Sequence, residues 1–547
     1  MDRPLRTTLE EIIEARTTRR EVVKGIMAAG GAMTAVWCLP NTAASAMVST
    51  AAGPVANEAG LAGLPVFPHV HQSGDPASVA DAEVVEGYRT QVLIKWGDPV
   101  VAGAEPMDVH NPTAEGQATQ FGYNNDFVAF LPIDRGSNDS RHGLLCVNNE
   151  YTHPELMFSR ITRSNKMETR TDEHIRIEAA AHGHSIIEIR QDDDAHWHVV
   201  SDSPLNRRIT LNTRIEINGP ARGHSRMKTD ADPRGREAFG TLSNCSGGVT
   251  PWGTVLSGEE NFHFYFRGEL TDEREAENHK RYGVIGRGDY SFNRIDDRFD
   301  LATTPREPNR FGWVVEIDPY DPESVPVKRT ALGRFKHEGA ATSLNYDGRV
   351  VVYTGDDEIN EYLYKFVSEG KYDPHNLENN RGLLDKGTLY VARFGEDGIV
   401  QWLPLVHDHG PLTWKNRFHS QADVLIETRR AADYLGATPM DRPEDVEENP
   451  VTHNVFVVLT NNSRRSQIRV DAANPRAKNR HGHIIELEIP QVDGKPDHAS
   501  LSHAWNIFLK AGRLEEDDAW YGGHRPDTWL SCPDNIAFDN QGRLWIA

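Results

Sequence analysis

The sequence repeats one hairpin pattern, in which a polar segment leads into one strand and the returning strand ends in acidic residues. The pattern is clearest at Ser243–Asn261 and His337–Glu358, and Pro533–Ala547 is a third copy without the acidic end. Two partial copies, Gly143–Glu150 and Asn454–Asn462, supply only the returning strand. Short strands that recur along a chain are typical of a β-propeller. We therefore predict an all-β propeller, with six blades and small helical and loop insertions.

The acidic ends of the hairpins constrain the chemistry. In a propeller the innermost strands surround one channel, so groups that are distant in sequence meet at one mouth. Carboxylates crowded in this way repel one another unless cations lie among them. Cys245 comes just before one strand of its hairpin, and Glu259 and Glu260 come just after the other. A thiolate beside carboxylates suits a transition metal better than calcium alone; the alternative is a buried cysteine beside a solvated acidic loop.

Composition limits the partners that the chain can have. The 547 residues carry a formal net charge of -22, which argues against nucleic acid and against an anionic membrane surface. The 45 glycines and 31 prolines favour many turns, as an all-β fold requires. Four widely spaced cysteines form no CxxC motif and no disulfide framework. We expect a monomer that acts on small molecules.

The first 46 residues have the features of an export signal and are excluded from the fold. Thr18–Lys24 contains paired arginines in a twin-arginine pattern, and Ala44–Ala46 is a small-residue cleavage site. The apolar stretch between them, Gly25–Leu39, is too short to span a bilayer securely. We predict a propeller domain at 47–547, recognition by the twin-arginine export machinery, and a periplasmic or secreted protein without a membrane anchor after cleavage.

Other segments give local expectations. Ser420–Leu435 has the clearest helical periodicity, and a short helix is expected within Glu168–Asp193 before a strand. The charged segment 267–311 indicates a surface insertion, and Pro439–Pro450 indicates an acidic loop. The sequence contains no phosphate-binding glycine-rich loop, nucleophile elbow or HExxH zinc motif.

Several long motifs, in the same order, make the sequence resemble the PhoX-type alkaline phosphatases. They are the twin-arginine leader, SNCSGGVTPWGTVLSGEEN, FGWVVEIDPYDP, KHEGA, the GDDE end, TNNSRR and CPDNIAFD. Beyond the leader, the resemblance covers the chain from about Gly60 to Ala547. The resemblance implies a β-propeller with ferric iron and calcium at one mouth. It also implies hydrolysis of phosphate monoesters, and sometimes diesters, in the periplasm or outside the cell.

The resemblance further implies roles for individual residues. Cys245 and Glu338 correspond to iron ligands, and Arg464 or Arg465 corresponds to the arginine that holds the phosphate. The other implied metal ligands, some of them on calcium, are Glu150, Glu259, Glu260, Asp357, Asp534 and Asn535. The side-chain oxygen of Asn149 is a further donor of the kind that calcium prefers.

The expected chemistry needs no serine or threonine nucleophile. Lewis-acid cations can neutralise charge on a phosphoryl group, and an arginine can hold it by two hydrogen bonds. A second hypothesis is a calcium-dependent propeller lactonase, which has no need of a thiolate, so Cys245 argues against it. A third is a non-enzymatic propeller with structural calcium, which iron in the purified protein would contradict.

The resemblance also includes one departure at the C-terminus. Chains of this family continue past the strand that ends at Ala547, with an acidic end and a further blade. The sequence therefore predicts that closing strands are absent, which would expose a sheet edge and remove part of the metal site.

Overall fold

The structure is a computed structural model, and it describes three ranges of the chain, residues 89–515, 518–521 and 529–547. The predicted signal segment, 1–46, lies outside them. The described residues belong to two compact units. The smaller unit holds 89–93 and 153–163, with one helical turn and an ion pair of 3.2 Å between Arg163 and Glu155. All the sheets lie in the larger unit.

Helices are short and few in the described part of the chain. They are α1 (Ala114–Gln117), α2 (Pro154–Met157), α3 (Lys166–Thr169), α4 (Asp172–Ala181), α5 (Glu273–Arg281), α6 (Gln421–Ile426) and α7 (Thr428–Leu435). No helix among the described residues is long and apolar enough to cross a membrane.

The helical pattern predicted over Ser420–Leu435 forms two helices, α6 and α7, with a break at Glu427. The Ser420 hydroxyl accepts a hydrogen bond from the Asp423 amide and caps α6. Gly436, at φ +69°, ends α7 in the left-handed conformation that glycine adopts without strain. The expected short helix within Glu168–Asp193 is α4, and a strand follows it.

The first sheet has five strands. They are β1 (Val128–Pro132), β2 (His142–Asn149), β3 (Gly183–Gln191), β4 (Trp197–Val199) and β5 (Arg207–Ile209). The first four form an antiparallel meander, and β5 pairs with β3 beside β4. Leu144 and Ile186, on neighbouring strands, are buried in the core of this sheet.

The second sheet has six strands. They are β6 (Arg214–Asn218), β7 (Glu237–Phe239), β8 (Asn244–Val249), β9 (Val255–Glu259), β10 (Val314–Ile317) and β11 (Val327–Arg329). The order across the sheet is β7-β6-β11-β10-β9-β8, so the predicted cysteine hairpin, β8 and β9, lies at one edge. Its turn contains Gly253 at φ +80°.

The third sheet has nine strands and consists of two meanders. The first meander is β12 (His337–Leu344), β13 (Arg349–Asp356), β14 (Leu363–Lys371), β15 (Gly387–Phe394) and β16 (Ile399–Pro404). The second is β17 (Pro443–Glu448), β18 (Val455–Leu459), β19 (His483–Glu488) and β22 (Ser502–Lys510), with the small hairpin β20 (Gln491–Val492) and β21 (Lys495–Pro496) between its last two strands. The outermost strands, β16 and β22, pair and join the meanders.

A two-stranded sheet, β23 (Ile536–Phe538) and β24 (Leu544–Ile546), ends the described chain. The first strands of successive meanders lie side by side, because β8 packs beside β12, β12 beside β17, and β17 beside β23. Innermost strands are arranged in this way in a propeller. The all-β prediction is confirmed, while the number of blades stays a prediction.

Two segments differ from the sequence-based expectation. Pro443–Glu448 is the buried strand β17 and not an acidic loop. The segment 267–311 is not a surface insertion, because its aromatic side chains belong to the largest hydrophobic core. Two of its charged residues, Glu307 and Arg310, are also buried and form an ion pair of 3.1 Å. Charge pairing and interleaved aromatic residues allow a highly charged segment to be interior.

A buried ion pair crosses the second sheet. The Lys328 Nζ on β11 lies 2.8 Å from the Glu259 Oε1 on β9, and both side chains are fully buried. The Lys328 ammonium also donates to the Arg310 carbonyl, and the second Glu259 oxygen accepts from the Gly312 and Trp313 amides. Each charge therefore has several hydrogen bonds, as a buried charge requires.

We expect Lys328→Met to lower the free energy of unfolding by about 3–5 kcal/mol, because it leaves a buried carboxylate without its counter-charge. Arg214→Met is the control in the same sheet, since Arg214 pairs with Glu237 at 2.7 Å where both side chains are partly exposed. That change should cost about 1 kcal/mol or less. Urea unfolding of both variants measures the difference, and equal losses would contradict the expectation.

Candidate metal centre

The hairpins bring acidic groups and one thiol to a single place. One set stands at the start of the first strand of each meander and consists of Asp126, Cys245, Glu338, Glu444 and Asp534. A second set directly follows the returning strand of three hairpins and consists of Glu150, Glu260 and Asp357. In an antiparallel hairpin these two positions are neighbours, so the strand order alone places both sets at the same end of the sheets.

The distances confirm this convergence. Ligand atoms lie within 4.8 Å of one another in four overlapping sets, which are Asp126–Cys245–Glu338, Glu150–Cys245–Glu260, Glu260–Glu338–Asp357 and Glu338–Glu444–Asp534. Glu338 belongs to three of the sets and therefore stands at their centre. We call these eight residues the acidic cluster.

The backbone repeats one geometry in three hairpins. The amides of Glu150, Glu260 and Asp357 donate to the carbonyls of Asn124, Ser243 and Lys336, at 2.9, 3.0 and 3.0 Å. Each carbonyl belongs to the residue two positions before the cluster member on the first strand, which is Asp126, Cys245 or Glu338. The same hydrogen bond therefore sets the spacing between the two cluster members of each hairpin.

Irregular backbone directs the side chains of the first strands. The pairing register shifts just after the start of β8, β12 and β17, which is where Cys245, Glu338 and Glu444 lie. A β-bulge changes the direction of the side chains beside it. At the β12 bulge Gly339 has φ +79°, and a Cβ there would lie 3.0 Å from the Asp445 carboxylate, so only glycine fits without strain.

Hydrogen bonds join members of the cluster that are far apart in sequence. The Asn535 Nδ2 donates to the Asp126 Oδ1 at 2.6 Å, and the Cys245 Sγ lies 3.6 Å from the Asp126 Oδ2. Arg442 Nη2 lies 2.6 Å from Asp357 and 2.8 Å from Glu444. Arg442 thus provides positive charge to two carboxylates of the cluster.

Burial and mutual repulsion favour the protonated forms of these groups. Burial, and then the Asp126 and Asp534 charges, raise the pKa of Glu150 well above its usual value. Burial and the neighbouring carboxylates likewise raise the pKa values of Glu260, Glu338 and Glu444. The pKa of Asp534 rises to about 6. Burial, followed by the surrounding carboxylates, also raises the pKa of the Cys245 thiol. Without cations, the cluster is therefore costly to ionise.

The donor atoms fit bound cations. The Glu338 Oε1 and the Asn535 Oδ1 are buried and have no hydrogen-bond partner among the described residues. Buried polar oxygens usually have partners, so unpaired oxygens at an acidic cluster are atoms that a cation could bind. Carboxylate and amide oxygens suit calcium, and a thiolate added to carboxylates suits a transition metal.

Most of the predicted metal ligands come together in the structure. Those in the acidic cluster are Cys245, Glu338, Glu150, Glu260, Asp357 and Asp534, and Asn535 is bonded to it through Asp126. Their individual metals stay predictions.

Two predicted ligands do not reach the cluster. Glu259 is the residue before Glu260, and its carboxylate points to Lys328 on the other face of the sheet. Asn149 is the residue before Glu150, and its Oδ1 accepts hydrogen bonds from Ser185 and from Arg208. Successive side chains of a strand point to opposite faces, so only one residue of each pair can face the cluster.

The two predicted phosphate-binding arginines also lie elsewhere. Arg465 is buried in an ion pair with Asp441 and donates to the Pro439 carbonyl. Arg464 is exposed and forms no ion pair with a described carboxylate. The position after β18 that corresponds to Glu150 and Glu260 is Thr460, whose amide donates to the Arg442 carbonyl at 3.2 Å. Thr460, the first residue of the TNN end, therefore has the backbone position of a cluster member, whereas the side chain of Arg465 pairs with Asp441.

Three residues of the site were missed by the sequence analysis, namely Asp126, Glu444 and Arg442. Asp126 precedes the apolar run that forms β1, so it has the same relation to its strand as Asp534 has to β23. Glu444 and Arg442 were assigned to a loop, because β17 contains four acidic residues and shows no apolar alternation. The repeated hairpin spacing was the signal that could have located them.

The family is decided by comparison with known proteins. A family model described as alkaline phosphatase PhoX matches residues 70–547. The chain belongs to this family. A solved structure described as Pseudomonas fluorescens PhoX in complex with vanadate, a transition state analogue, is 40% identical, with a TM-score of 0.77. The match covers 85% of this chain and 80% of that chain. A comparison with curated proteins gives no match.

Membership of the PhoX family confirms several predictions. The resemblance to PhoX and the fold class are confirmed, and the chain is a phosphoric ester hydrolase. The phosphatase hypothesis is thereby favoured over the lactonase and the non-enzymatic propeller. The family is metal-dependent, in agreement with the acidic cluster, while the identity of the metals stays a prediction.

We expect cation binding to release protons from the cation-free protein. The pKa values of Glu150 and Glu260 are raised well above the usual value by burial and neighbouring charges, and burial and nearby carboxylates raise that of Asp534 to about 6. These groups therefore keep their protons at a higher pH than free carboxyl groups do, and a cation stabilises only their ionised forms. Calcium affinity should therefore fall as the pH falls through about 6, where Asp534 takes up a proton in the cation-free protein. Calorimetric titration with calcium in two buffers of different ionisation enthalpy measures the release. An identical heat in both buffers would contradict it.

Proposed function

We propose that this chain hydrolyses phosphate monoesters, with diesters as a second substrate class, through ferric iron and calcium at the acidic cluster. The observation that carries the proposal is the cluster itself, where buried carboxylates and one thiol lie beside oxygens that have no hydrogen-bond partner in the described part of the chain. The vanadate-bound relative supports it, since vanadate in that complex is described as a transition state analogue.

The donor types suggest how the metals are distributed. The set that contains Cys245 with Asp126 and Glu338 suits iron, because it combines a thiolate with carboxylates. The two sets without sulfur, Glu260–Glu338–Asp357 and Glu338–Glu444–Asp534, suit calcium. When bound, these cations supply Lewis acidity that neutralises charge on the phosphoryl oxygens.

Arg442 is the side chain that we assign to the phosphoryl group. Its guanidinium lies between Asp357 and Glu444, and about one seventh of the side chain remains exposed. Asp357 and Glu444 belong to different candidate calcium-binding sets, so Arg442 lies beside both of these sets. The fork of N–H donors matches two phosphoryl oxygens, and a fixed donor there stabilises charge as it develops in the transition state.

The location and assembly of the protein remain proposals from the sequence. Arg19 and Arg20 of the leader support export by the twin-arginine machinery to the periplasm or beyond. The strongly negative charge argues against nucleic acid as a specific partner. Cell fractionation tests the location, and ultracentrifugation tests whether the protein is a monomer.

Elemental analysis beside a phosphate-release assay tests the proposed function directly. The purified protein should contain iron and calcium and should absorb visible light through sulfur-to-iron charge transfer. Cys245→Ser should lose this band and most of the activity, because a hydroxyl is a poorer ligand for the metal. A colourless, fully active protein, or one that contains only calcium, would contradict the assignment.

Arg442→Ala tests the proposed phosphate contact. We expect a loss of about 2–4 kcal/mol in kcat/KM and weaker inhibition by free phosphate, since one electrostatic stabiliser is removed. Arg442→Lys should retain only part of the activity, because lysine keeps the positive charge but lacks the planar N–H donors that bind two oxygens at once. Arg464→Ala tests the alternative that Arg464 holds the phosphate, as the sequence predicted. A comparable loss of kcat/KM in Arg464→Ala, with no loss in Arg442→Ala, would favour Arg464.

A further inference from the structure

The three hairpins share a feature on the face opposite the acidic cluster. The residue just before Glu150, Glu260 and Asp357 is polar and fully buried in each case, and these residues are Asn149, Glu259 and Asp356. We call them the anchor residues. Two of them were predicted as metal ligands, yet all three point away from their neighbouring cluster member, as alternation along a strand requires.

Each anchor residue contacts a buried basic side chain. Asn149 Oδ1 accepts a hydrogen bond from Arg208 on β5. The Glu259 Oε1 lies 2.8 Å from the Lys328 Nζ on β11. Asp356 accepts two parallel hydrogen bonds from Arg429 on α7, at 2.8 Å from Nε and 2.5 Å from Nη2. The three basic residues come from different elements, but each fixes the same hairpin position.

The third pair shows how such a contact acts on the cluster. The Asp356 Oδ1 also accepts the Lys336 amide at 3.2 Å, and the Lys336 carbonyl accepts the Asp357 amide at 3.0 Å. Lys336 lies two residues before Glu338. The Asp356 carboxylate therefore links the start of β12 to the end of β13, from which Glu338 and Asp357 extend.

The fourth hairpin provides an internal comparison. The position that corresponds to the anchor residues is Leu459, which is buried among hydrophobic side chains. The next residue is Thr460, which belongs to none of the candidate metal-binding sets. A polar anchor with a basic partner thus occurs in the three hairpins whose returning strand leads into an acidic cluster member. An apolar residue occurs in the hairpin whose returning strand leads into Thr460, although its first strand supplies Glu444.

We propose that Arg208, Lys328 and Arg429 are positioning residues for the metal centre, each acting through its anchor residue. A buried ion pair contributes little stability compared with an apolar pair of similar volume, so stability alone gives no reason to place one here. The need to hold metal ligands in a fixed orientation does give a reason. Mutation of side chains that hold metal ligands in place commonly lowers metal affinity 10- to 100-fold. The inference rests on the proposal that the cluster binds cations.

Double variants that copy the fourth hairpin test the proposal. Glu259→Leu with Lys328→Met, and Asp356→Leu with Arg429→Met, remove both charges of a pair and leave no buried charge alone. We expect both proteins to fold and to bind calcium 10- to 100-fold more weakly, measured after chelator treatment by competition with a chromophoric chelator. Their phosphatase activity should recover at higher calcium concentration.

Arg430→Met is the matched control. Arg430 follows Arg429 on α7 and pairs with Glu427, outside the anchor contacts. Calcium affinity in this variant should equal that of the unmodified protein. If a double variant does not fold, Arg429→Lys replaces it, since a lysine keeps the charge and loses one of the two hydrogen bonds.

The outcomes separate this inference from the proposed function. Calcium affinity that is unchanged in the folded anchor variants overturns the positioning role and leaves the metal-dependent function in place. A lower melting temperature with unchanged affinity does the same, because it shows a purely structural role. An unmodified protein that binds no calcium overturns both.

Discussion

The structure depends on holding many negative groups within a few ångströms of one another in a buried place. Seven carboxyl groups and a thiol meet at the acidic cluster, and burial, followed by the neighbouring charges, raises the pKa values of Glu338 and Glu150 well above their usual range. Arg442 offsets part of this charge, and cations complete the balance. Backbone hydrogen bonds of constant spacing, bulges in the first strands and glycine at Gly339 all serve to bring the acidic side chains to this point.

The sequence predicted which hairpins form the site, but it did not resolve single positions within them. Cys245 and Glu338 follow from the hairpin pattern, since each begins a strand that turns and returns to an acidic end. Where two polar residues end the returning strand, either could face the channel, so Glu259 and Glu260 were both predicted. Alternation of side chains along the strand directs Glu260 to the cluster and Glu259 to the opposite face. There Glu259 pairs with Lys328, which is distant in sequence.

The remaining errors have a similar origin. The acidic residues of β17 have separate tertiary partners. Glu444 lies beside Arg442 at the cluster, Asp445 accepts the Ile536 amide and Glu448 pairs with His453, so the strand lacks the apolar alternation by which strands are recognised. The aromatic residues of 267–311 enter a core formed by segments from elsewhere in the chain. In both cases tertiary contacts, which a local pattern does not contain, decide whether charged residues are interior.

The hydrogen bond between Asn535 and Asp126 joins residues that are 409 positions apart. Contacts of such long range are slow to form, because most of the intervening chain must be ordered before the two groups can meet. On the ribosome, a nascent chain lacks Asp534 and Asn535 until all the residues that precede them have been synthesised. Earlier hairpins can bind at most a fragment of the cation set, so a complete centre marks a chain whose synthesis and folding have both reached β23.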